Sequence, residues 1–560
     1  MRYSKLFGKS IRSISREIQT KGHEYLLRAG FLRESSAGRF YFLPLGIRVQ
    51  DKICRVVEDE MDSAGGQKML APVLHPLELW EETHRAESAS FELMRVNDRS
   101  ERSFVLGGTA EEMIVALVRQ FALSERDLPF CVYQFSTKFR DELRARGGLL
   151  RVREFLMKDA YSFHASASEF ESFYERMKQC YLRIFERLEL PARVVASDNG
   201  YMGGEYCHDL IVDHAAGESR YLVSEDGSYS AHEDIATFRR EKMNPDEALR
   251  AVELVAAPRG LTIQAGVEHY AQPPWRQIKS IIYYTDKGEA LLVALRGDLT
   301  VNETKLRHVA GCNELRLATE DEVLELGSVS GFVSPLKLKI RRIGDESLIS
   351  VRNFSTGADE WQRDTLNVNY GRDFSVDILA DIAMASAGQC SVETGSPLQE
   401  RRGIEVGNIF QLGTWYSERM KGAEFTGSDG QKHPYYMGCY GIGIGRTMAT
   451  IAELHHGEKG LLWPSSCTPF DIHLLCVGKD PGLQTYAESL YAELLAGDKA
   501  VLYDDRDVSA GVKFTDAELI GIGTRLIVSR RMMDAGMVEV HTGHGQRRVE
   551  TARHSLPLTY

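Results

Sequence analysis

Positive charge is concentrated in one short part of the chain, between Lys138 and Arg153. This stretch contains six cations and only two acids, Asp141 and Glu142. Such a stretch is typical of a solvated hairpin. It also suits a phosphate or carboxylate ligand, because guanidinium groups stay charged and donate in pairs. A glycine-containing loop, RARGGLL, could close over that ligand. If the segment is a strand, Arg140 and Glu142 share one face. The cations are Lys138, Arg140, Arg144, Arg146, Arg151 and Arg153.

A second glycine-rich segment, MGCYGIGIGRTMATIAE, lies far along the chain at residues 437–453. Gly441, Gly443 and Gly445 would let the backbone approach a ligand closely, and Arg446 follows at the start of a predicted helix. Alone, the pattern also fits a tight strand–helix junction. It does not have the G-x-x-G spacing of a dinucleotide fingerprint.

Three further segments carry polar residues. Thr109 and Glu111 form a T-x-E turn before a helix, the residue types expected at a helix start. Asp159 and His164 lie on a predicted strand, where a lone histidine is more often structural. Gly203 and His208 lie in YMGGEYCHD.

The elements that must position these residues can be read from periodicity. RESSAGRFYFLPLGIRV predicts a hairpin, Ile47–Met61 a helix, and GGQKMLAP a strand ending at Pro72. Residues 131–164 predict two long strands joined by the RARGGLL loop. From about residue 225 the pattern changes to short strands and helices. The last unit alternates strands with helices, as in a small α/β domain.

Bulk properties limit the class of protein. A chain of 560 residues predicts three or four domains. No run approaches the roughly 18 apolar residues of a membrane helix, so we expect no membrane association. The nine cysteines form no C-x-x-C pair, which argues against disulfides and a cysteine zinc site and favours a cytoplasmic location. The net charge of −12 does not exclude nucleic acid, because phosphates need only one basic face.

Taken together, these motifs resemble motifs 1, 2 and 3 of the class II aminoacyl-tRNA synthetases. LLRAGFLRESSAGRFYFLPLGIRV, REFLMKDAYSFH, RGIEVGNIFQLGT and CYGIGIGR are similar to the bacterial-type prolyl-tRNA synthetases. The resemblance implies an α+β multidomain protein with an antiparallel-sheet catalytic core, residues 1–224 and 399–466. An inserted α/β editing-like domain, 225–398, and a C-terminal α/β anticodon-binding domain, 467–560, would complete it.

The implied activity is ATP-dependent activation of L-proline and its transfer to the 3′ end of tRNA(Pro). The resemblance gives catalytic roles to Arg140, Glu142 and Arg446. It implies that Mg²⁺ accompanies ATP, with Glu405 a possible ligand. Only Cys390 remains where some relatives have a cysteine pair, so we expect no zinc. The implied ATP-binding residues are Arg140, Glu142, Arg151, Phe155, Glu405, Gln411, Thr414, Gly443 and Arg446.

The resemblance also implies the other sites. Lys279, in RQIKSIIYY, corresponds to a functional lysine of the domain that deacylates alanyl-tRNA. Asp505, Arg506 and Lys513 would contact the anticodon, although a solvated loop is an equal alternative. The helix and strand before Pro72 would form a homodimer interface. The implied proline-binding residues are Thr109, Glu111, Arg140, Asp159, His164, Gly203 and His208.

Three positions depart from the family pattern: Asn408 stands where His is usual, Gly445 where Thr is frequent, and Asp209 where Glu is usual. The alternatives are another class IIa synthetase, specific for threonine, serine or glycine, and a catalytically inactive tRNA-binding paralogue. Retention of Arg140, Glu142, Glu405 and Arg446 argues against the paralogue.

Overall fold

The protein is described by a computed structural model that covers residues 1–14, 18–88, 93–543 and 547–553. The chain forms two compact units. One contains residues 1–194, 199–219 and 402–560, and the other contains residues 195–198 and 220–401.

Residues 1–218 supply the first part of the larger unit, except for residues 195–198, which belong to the smaller unit. The elements are α1 (Lys21–Arg28), β1 (Leu32–Ser36), β2 (Arg39–Phe42), α2 (Pro44–Ser63), β3 (Gly66–Lys68), β4 (Leu74–Pro76), α3 (Leu77–Glu82), α4 (Arg85–Ser88), β5 (Arg95–Asn97), β6 (Ser103–Leu106), α5 (Glu111–Val118), β7 (Phe130–Phe139), β8 (Glu154–His164), α6 (Ala167–Arg187), β9 (Ala192–Ser197) and β10 (Tyr206–Asp213).

The smaller unit contains a five-stranded mixed sheet of order β16-β14-β15-β17-β20 and a three-stranded antiparallel sheet, β13-β19-β18. Its elements are β11 (Ser219–Ser224), β12 (Ser230–His232), β13 (Glu253–Ala256), α7 (Ile263–Tyr270), β14 (Ile278–Thr285), β15 (Ala290–Arg296), α8 (Glu303–Ala310), β16 (Leu315–Leu317), α9 (Glu320–Glu325), β17 (Arg341–Asp345), β18 (Phe354–Gly357), β19 (Arg363–Val368) and β20 (Ile378–Ala380).

The remainder of the chain completes the core and forms the C-terminal α/β segment, a sheet of order β26-β25-β27-β28-β29. These elements are β21 (Leu398–Gly413), α10 (Trp415–Arg419), β22 (Glu424–Thr426), β23 (Lys432–Pro434), β24 (Tyr436–Gly443), α11 (Ile444–Leu454), β25 (Ile472–Val477), α12 (Pro481–Ala496), β26 (Val501–Asp504), α13 (Ala510–Ile520), β27 (Arg525–Ser529), α14 (Arg530–Asp534), β28 (Met537–Thr542) and β29 (Arg547–Ala552).

The central sheet of the larger unit runs β10-β21-β24-β8-β7-β3. All its pairs are antiparallel except β7 with β3. Register places Gly441 of β24 between Asn408 of β21 and Asp159 of β8. Side chains alternate along β8, so that Met157 and Asp159 face opposite to Lys158 and His164. An antiparallel core, a separate α/β unit and an α/β C-terminal segment are the architectures that the sequence predicted.

Helix α2 follows from its sequence, because Pro44 occupies its first turn and the residues at helical spacing are buried. One predicted boundary is wrong: β3 ends at Lys68, not at Pro72. The backbone N–H of Ala71 bonds to the side chain of Gln134, not to a strand carbonyl. The chain has therefore left the ladder before the proline.

Candidate active site

A cavity opens at the β7–β8 connection, beside β21 and the start of α11. Arg140 and Arg446, more than 300 positions apart in the chain, both lie on its wall. Its lining residues are Arg140, Glu142, Leu149, Leu150, Arg151, Val152, Phe155, Met157, Glu405, Val406, Gly407, Asn408, Gly441, Gly443 and Arg446.

Arg140 connects this cavity to a neighbouring loop. Its Nε donates to the Gly108 carbonyl at 3.2 Å, and its guanidinium lies 5.4 Å from the centre of the Phe155 ring. The predicted shared strand face of Arg140 and Glu142 is wrong, because β7 ends at Phe139. A tight turn, in which Glu142 N donates to Arg140 O, places both on the cavity wall instead.

Arg151 is held by two carboxylates. Its Nη2 lies 2.6 Å from Glu142 Oε2, and its Nη1 lies 3.1 Å from Glu218 Oε2. Arg146 also pairs with Glu218. These ion pairs fix the ends of the β7–β8 connection, and they raise the pKa of Arg151 further above its usual value, chiefly through the bond to Glu142.

Arg446 is fixed by the backbone. Its Nε donates to Leu150 O at 2.9 Å and its Nη1 to Glu405 O at 3.1 Å. The Glu405 carboxylate lies 3.3 Å from the same Nη1 and accepts from Asn408 Nδ2 at 3.2 Å. A Cβ at Gly441 would lie 2.7 Å from Asn408 Oδ1, so a larger residue there would displace the Asn408 amide.

The T-x-E turn forms a buried acidic site. Glu111 is fully buried, and its carboxylate accepts from Thr109 Oγ1 at 2.6 and 2.7 Å and from Cys439 Sγ at 2.9 Å. Gly108, bonded to Arg140, immediately precedes this turn. The arginine therefore joins the acidic site to the cavity.

Asp159 is connected to this loop by hydrogen bonds. Its carboxylate accepts from Lys138, Gln134 and the Tyr161 hydroxyl, each within 2.9 Å. The same hydroxyl accepts from the Ala110 backbone N–H at 3.0 Å. The structure therefore connects Asp159 to the T-x-E turn through Tyr161.

Two predicted proline-site histidines are placed elsewhere, and both predictions are corrected. His164 is five residues from Asp159, so it faces the other side of β8, against Phe170 and Phe173 of α6. His208 packs behind the sheet, with Nδ1 2.9 Å from the Tyr174 hydroxyl. Burial lowers the pKa of each histidine to about 4, as expected for neutral side chains in a core.

Three more residues of the catalytic core were predicted to bind a substrate: Gly203 to bind proline, and Gln411 and Thr414 to bind ATP. Gly203 has a positive φ of 75° and packs under Trp415, where a Cβ would lie 2.8 Å from the indole. Gln411 is buried, with its amide donating to Glu205 at 3.0 Å. Thr414 donates to Glu418 at 2.7 Å. Neither Gln411 nor Thr414 is among the residues that line the cavity.

Lys279 lies on β14 of the smaller unit, and its amine donates to the Leu299 carbonyl in the RGDLT segment. Half-burial lowers the pKa of this amine. The segment RQIKSIIYY, which the resemblance assigns to an editing domain, therefore contacts the RGDLT segment.

The structure pairs all three residues predicted to contact the anticodon with other parts of the protein. Lys513 is only 3% exposed, and its amine donates to the backbone carbonyls of Cys476 and Asp504. Arg506 pairs with Asp504 and lies 3.8 Å from the Tyr3 ring centre. Asp505 accepts from the backbone and hydroxyl of Ser4. The N-terminal segment therefore covers this loop.

Metal and membrane features can be stated for the described part of the chain. No three His, Cys, Asp or Glu side chains within it are arranged to hold a metal ion. None of its helices has the length and apolar character needed to span a bilayer.

Sequence reasoning missed several residues of the acidic site, namely Arg85, Glu112, Lys138, Tyr161, Met202 and Cys439. One signal was available. The helix EEMIVALV begins with two adjacent glutamates and is otherwise apolar, so at least one was bound to be buried and to need a cation.

Comparison with known proteins adds two findings. Residues 92–455 match the family model described as the tRNA synthetase class II core domain (G, H, P, S and T), and residues 471–557 match the anticodon binding domain. The chain is 41% identical over 542 residues to a proline–tRNA ligase of Dehalococcoides mccartyi, covering 96% of this chain and 95% of that protein. It is 39% identical over 554 residues to one of Thermotoga neapolitana, covering 99% and 96%.

Among solved structures, the fold resembles prolyl-tRNA synthetase from Cryptosporidium parvum complexed with L-proline and AMP. The TM-score is 0.55 at 13% identity, and the match covers 96% of this chain and 75% of that one. This likeness concerns the fold alone.

Proposed function

Because the chain belongs to the proline–tRNA ligases, the class II aminoacyl-tRNA synthetases that charge tRNA with proline, we propose that its cavity binds ATP and the adjoining T-x-E turn binds L-proline. One observation carries this assignment. Arg140 lines the cavity and donates to Gly108, beside Thr109 and Glu111. A single guanidinium thus adjoins the positions of both reactants.

Proline carries a carboxylate and a secondary ammonium group. The buried Glu111 carboxylate offers the negative charge that the ammonium needs, and Arg140 offers paired donors to the carboxylate. A carboxylate oxygen of proline then attacks the α-phosphorus of ATP, and pyrophosphate leaves with the bonding electrons. The product is prolyl-adenylate.

Neither step needs a protein nucleophile. In the second step a ribose hydroxyl at the 3′ end of tRNA attacks the carbonyl carbon of the mixed anhydride, and AMP leaves. The protein supplies position and positive charge, from Arg140 near the α-phosphate and from Arg151 and Arg446 near the leaving phosphates. Phe155 offers an aromatic face to the adenine, and Gly443 allows close approach at the start of α11.

Mg²⁺ fits beside this triphosphate site. Glu405 and Asn408 present oxygen atoms at the cavity wall, which is the ligand type that Mg²⁺ prefers. When bound with ATP, the ion supplies further positive charge to the phosphates. We retain the expectation that the protein needs no zinc.

The test is ATP–pyrophosphate exchange with each of the twenty amino acids. We expect exchange with proline, and with alanine only at a small fraction of that rate, because missing methylenes separate substrates by about 1–3 kcal/mol. Exchange with threonine or serine but not proline would contradict the substrate assignment. No exchange with any amino acid would instead favour an inactive paralogue.

We propose that residues 225–398 form a hydrolytic domain that removes alanine from tRNA(Pro). Support comes from the contact of Lys279 with Leu299 O, and from the weak discrimination against alanine expected of the proline site. The half-buried amine of Lys279 is a candidate to bind the phosphate or carbonyl of the mischarged 3′ end.

Lys279→Ala should slow deacylation of alanyl-tRNA(Pro) about tenfold or more, because the transition state loses a charged donor. Proline-dependent exchange should stay within about twofold of the parent, since the lysine is not part of the synthetic site. Lys287→Ala, at the exposed β14–β15 turn, is the matched control. Unchanged deacylation in Lys279→Ala would remove this role from Lys279.

We further propose a cytoplasmic homodimer that binds tRNA(Pro) through residues 467–560. All nine cysteines are free, in keeping with a reducing compartment. Leu70, Val73 and Leu74, around Pro72, are exposed apolar side chains and support an interface there. Sedimentation velocity tests the dimer; a monomer at micromolar concentration would oppose it.

A further inference from the structure

Arg85 is a deeply buried cation near the proposed proline site. Its side chain is 1% exposed. The guanidinium lies 4.9 Å from the Trp80 ring centre and 5.7 Å from that of Tyr416. A cation so completely removed from water persists only when its charge is matched nearby.

The matching charge comes from two adjacent glutamates. Arg85 Nη1 lies 2.7 Å from Glu112 Oε1 and 3.4 Å from Glu111 Oε2. Both carboxylates are fully buried. Glu112 also accepts from Thr83 Oγ1 at 2.9 Å. Two carboxylates and one guanidinium leave a single unit of negative charge, which complements one secondary ammonium.

The same guanidinium reaches a second loop. Nη2 lies 3.2 Å from Met202 Sδ, and the Met202 carbonyl accepts from the Tyr416 hydroxyl at 3.1 Å. Met202 directly precedes Gly203, which packs under Trp415. Arg85 therefore contacts both loops assigned to proline, the T-x-E turn and the segment that begins at Met202.

We propose that Arg85 is a positioning residue for proline recognition: it pairs with Glu112, which leaves the Glu111 carboxylate to the proline ammonium, and it ties the two proline loops together. This inference rests on the proposed function of Glu111. Burial raises the pKa of Glu112, and Arg85 opposes that shift. Without the guanidinium, the two adjacent buried carboxylates would repel each other, and the Glu111 carboxylate would be displaced from the position that suits the ammonium.

Removing Arg85 or Glu112 alone should impair proline binding, whereas removing both should largely restore it. Arg85→Met leaves the two adjacent carboxylates to repel each other. Glu112→Gln turns Arg85 entirely onto Glu111, where it competes with the proline ammonium. The double variant removes both groups and leaves Glu111 with Thr109 and Cys439. A role limited to packing predicts the reverse, with the double variant worst.

The experiment measures the KM values for proline and ATP in pyrophosphate exchange. Each single variant should raise the KM for proline about tenfold, whereas the double variant should return to within about threefold of the parent. The KM for ATP should change by less than about twofold in all three. The control is Arg119→Met, which breaks an arginine pair with Glu82 at the other end of α5; it should leave both constants unchanged.

Other outcomes distinguish the role of Arg85 from that of Glu111. A double variant as impaired as the worse single variant overturns the charge-pairing role, as does an equal rise in both KM values. If Arg85→Met does not fold, the comparison of Glu112→Gln with the double variant still decides. Glu111→Gln tests the premise: if it leaves the KM for proline unchanged, the proposed proline site is wrong. If it raises that KM while Arg85→Met does not, only the role of Arg85 is overturned.

Discussion

Arg140→Ala should reduce proline-dependent ATP–pyrophosphate exchange about 10³-fold, the loss seen when a preorganised charged donor to a reacting group is removed. The structure gives the reason for so large an effect. Arg140 adjoins the ATP cavity and the T-x-E turn at once. Its loss therefore weakens both the alignment of the proline carboxylate and the neutralisation of the α-phosphate. Binding of tRNA should be largely retained, because the C-terminal α/β segment is untouched.

A matched control is available on the same connection. Arg144 is exposed and is not among the lining residues of the cavity. Arg144→Ala should keep exchange within about twofold of the parent. Arg140→Lys should recover little of the loss, since an ammonium group cannot present two parallel donors. Near-normal exchange in Arg140→Ala would mean that the cavity is not where proline is activated.

Arg446→Ala should lower kcat/KM for ATP about 10²-fold, with a smaller effect on the KM for proline. Two backbone carbonyls, Leu150 O and Glu405 O, hold this guanidinium at the cavity wall. Its charge is therefore placed before ATP arrives and need not be reorganised as pyrophosphate departs. Arg446→Lys keeps the charge but cannot form both carbonyl bonds, so we expect it to remain impaired.

The control for Arg446→Ala removes an arginine that also donates to two backbone carbonyls but lies outside the cavity. Arg33 donates to the carbonyls of Leu27 and Leu32 and is not among the lining residues of the cavity. Arg33→Ala should leave ATP kinetics unchanged, although thermal stability falls. Equal kinetic losses in Arg33→Ala and Arg446→Ala would indicate a general loss of structure and would remove the phosphate role from Arg446.

Local pattern predicted the elements well. Helical spacing of apolar residues gave α2, and alternation with a central loop gave β7 and β8, because these signals depend on neighbours within a few residues. Motif order predicted that Arg140 and Arg446 would meet, although composition and spacing alone could not have joined them. The facing of the β8 side chains could have been predicted from the sequence but was not. Period-two alternation alone separates Asp159 from His164 onto opposite faces.

The sequence by itself determined the kind of elements, since these depend on residue type and short-range spacing. Its resemblance to the class II synthetases determined the class of protein and the two arginines at the cavity. Only the tertiary structure decided which charges are matched inside the protein. Lys513 has an ordinary sequence context, yet its buried amine donates to carbonyls of two other strands. Arg85 is joined to Glu112 and Met202 from separate parts of the chain. A buried charge is stable only beside its partner, and which segments meet is settled by packing of the whole fold.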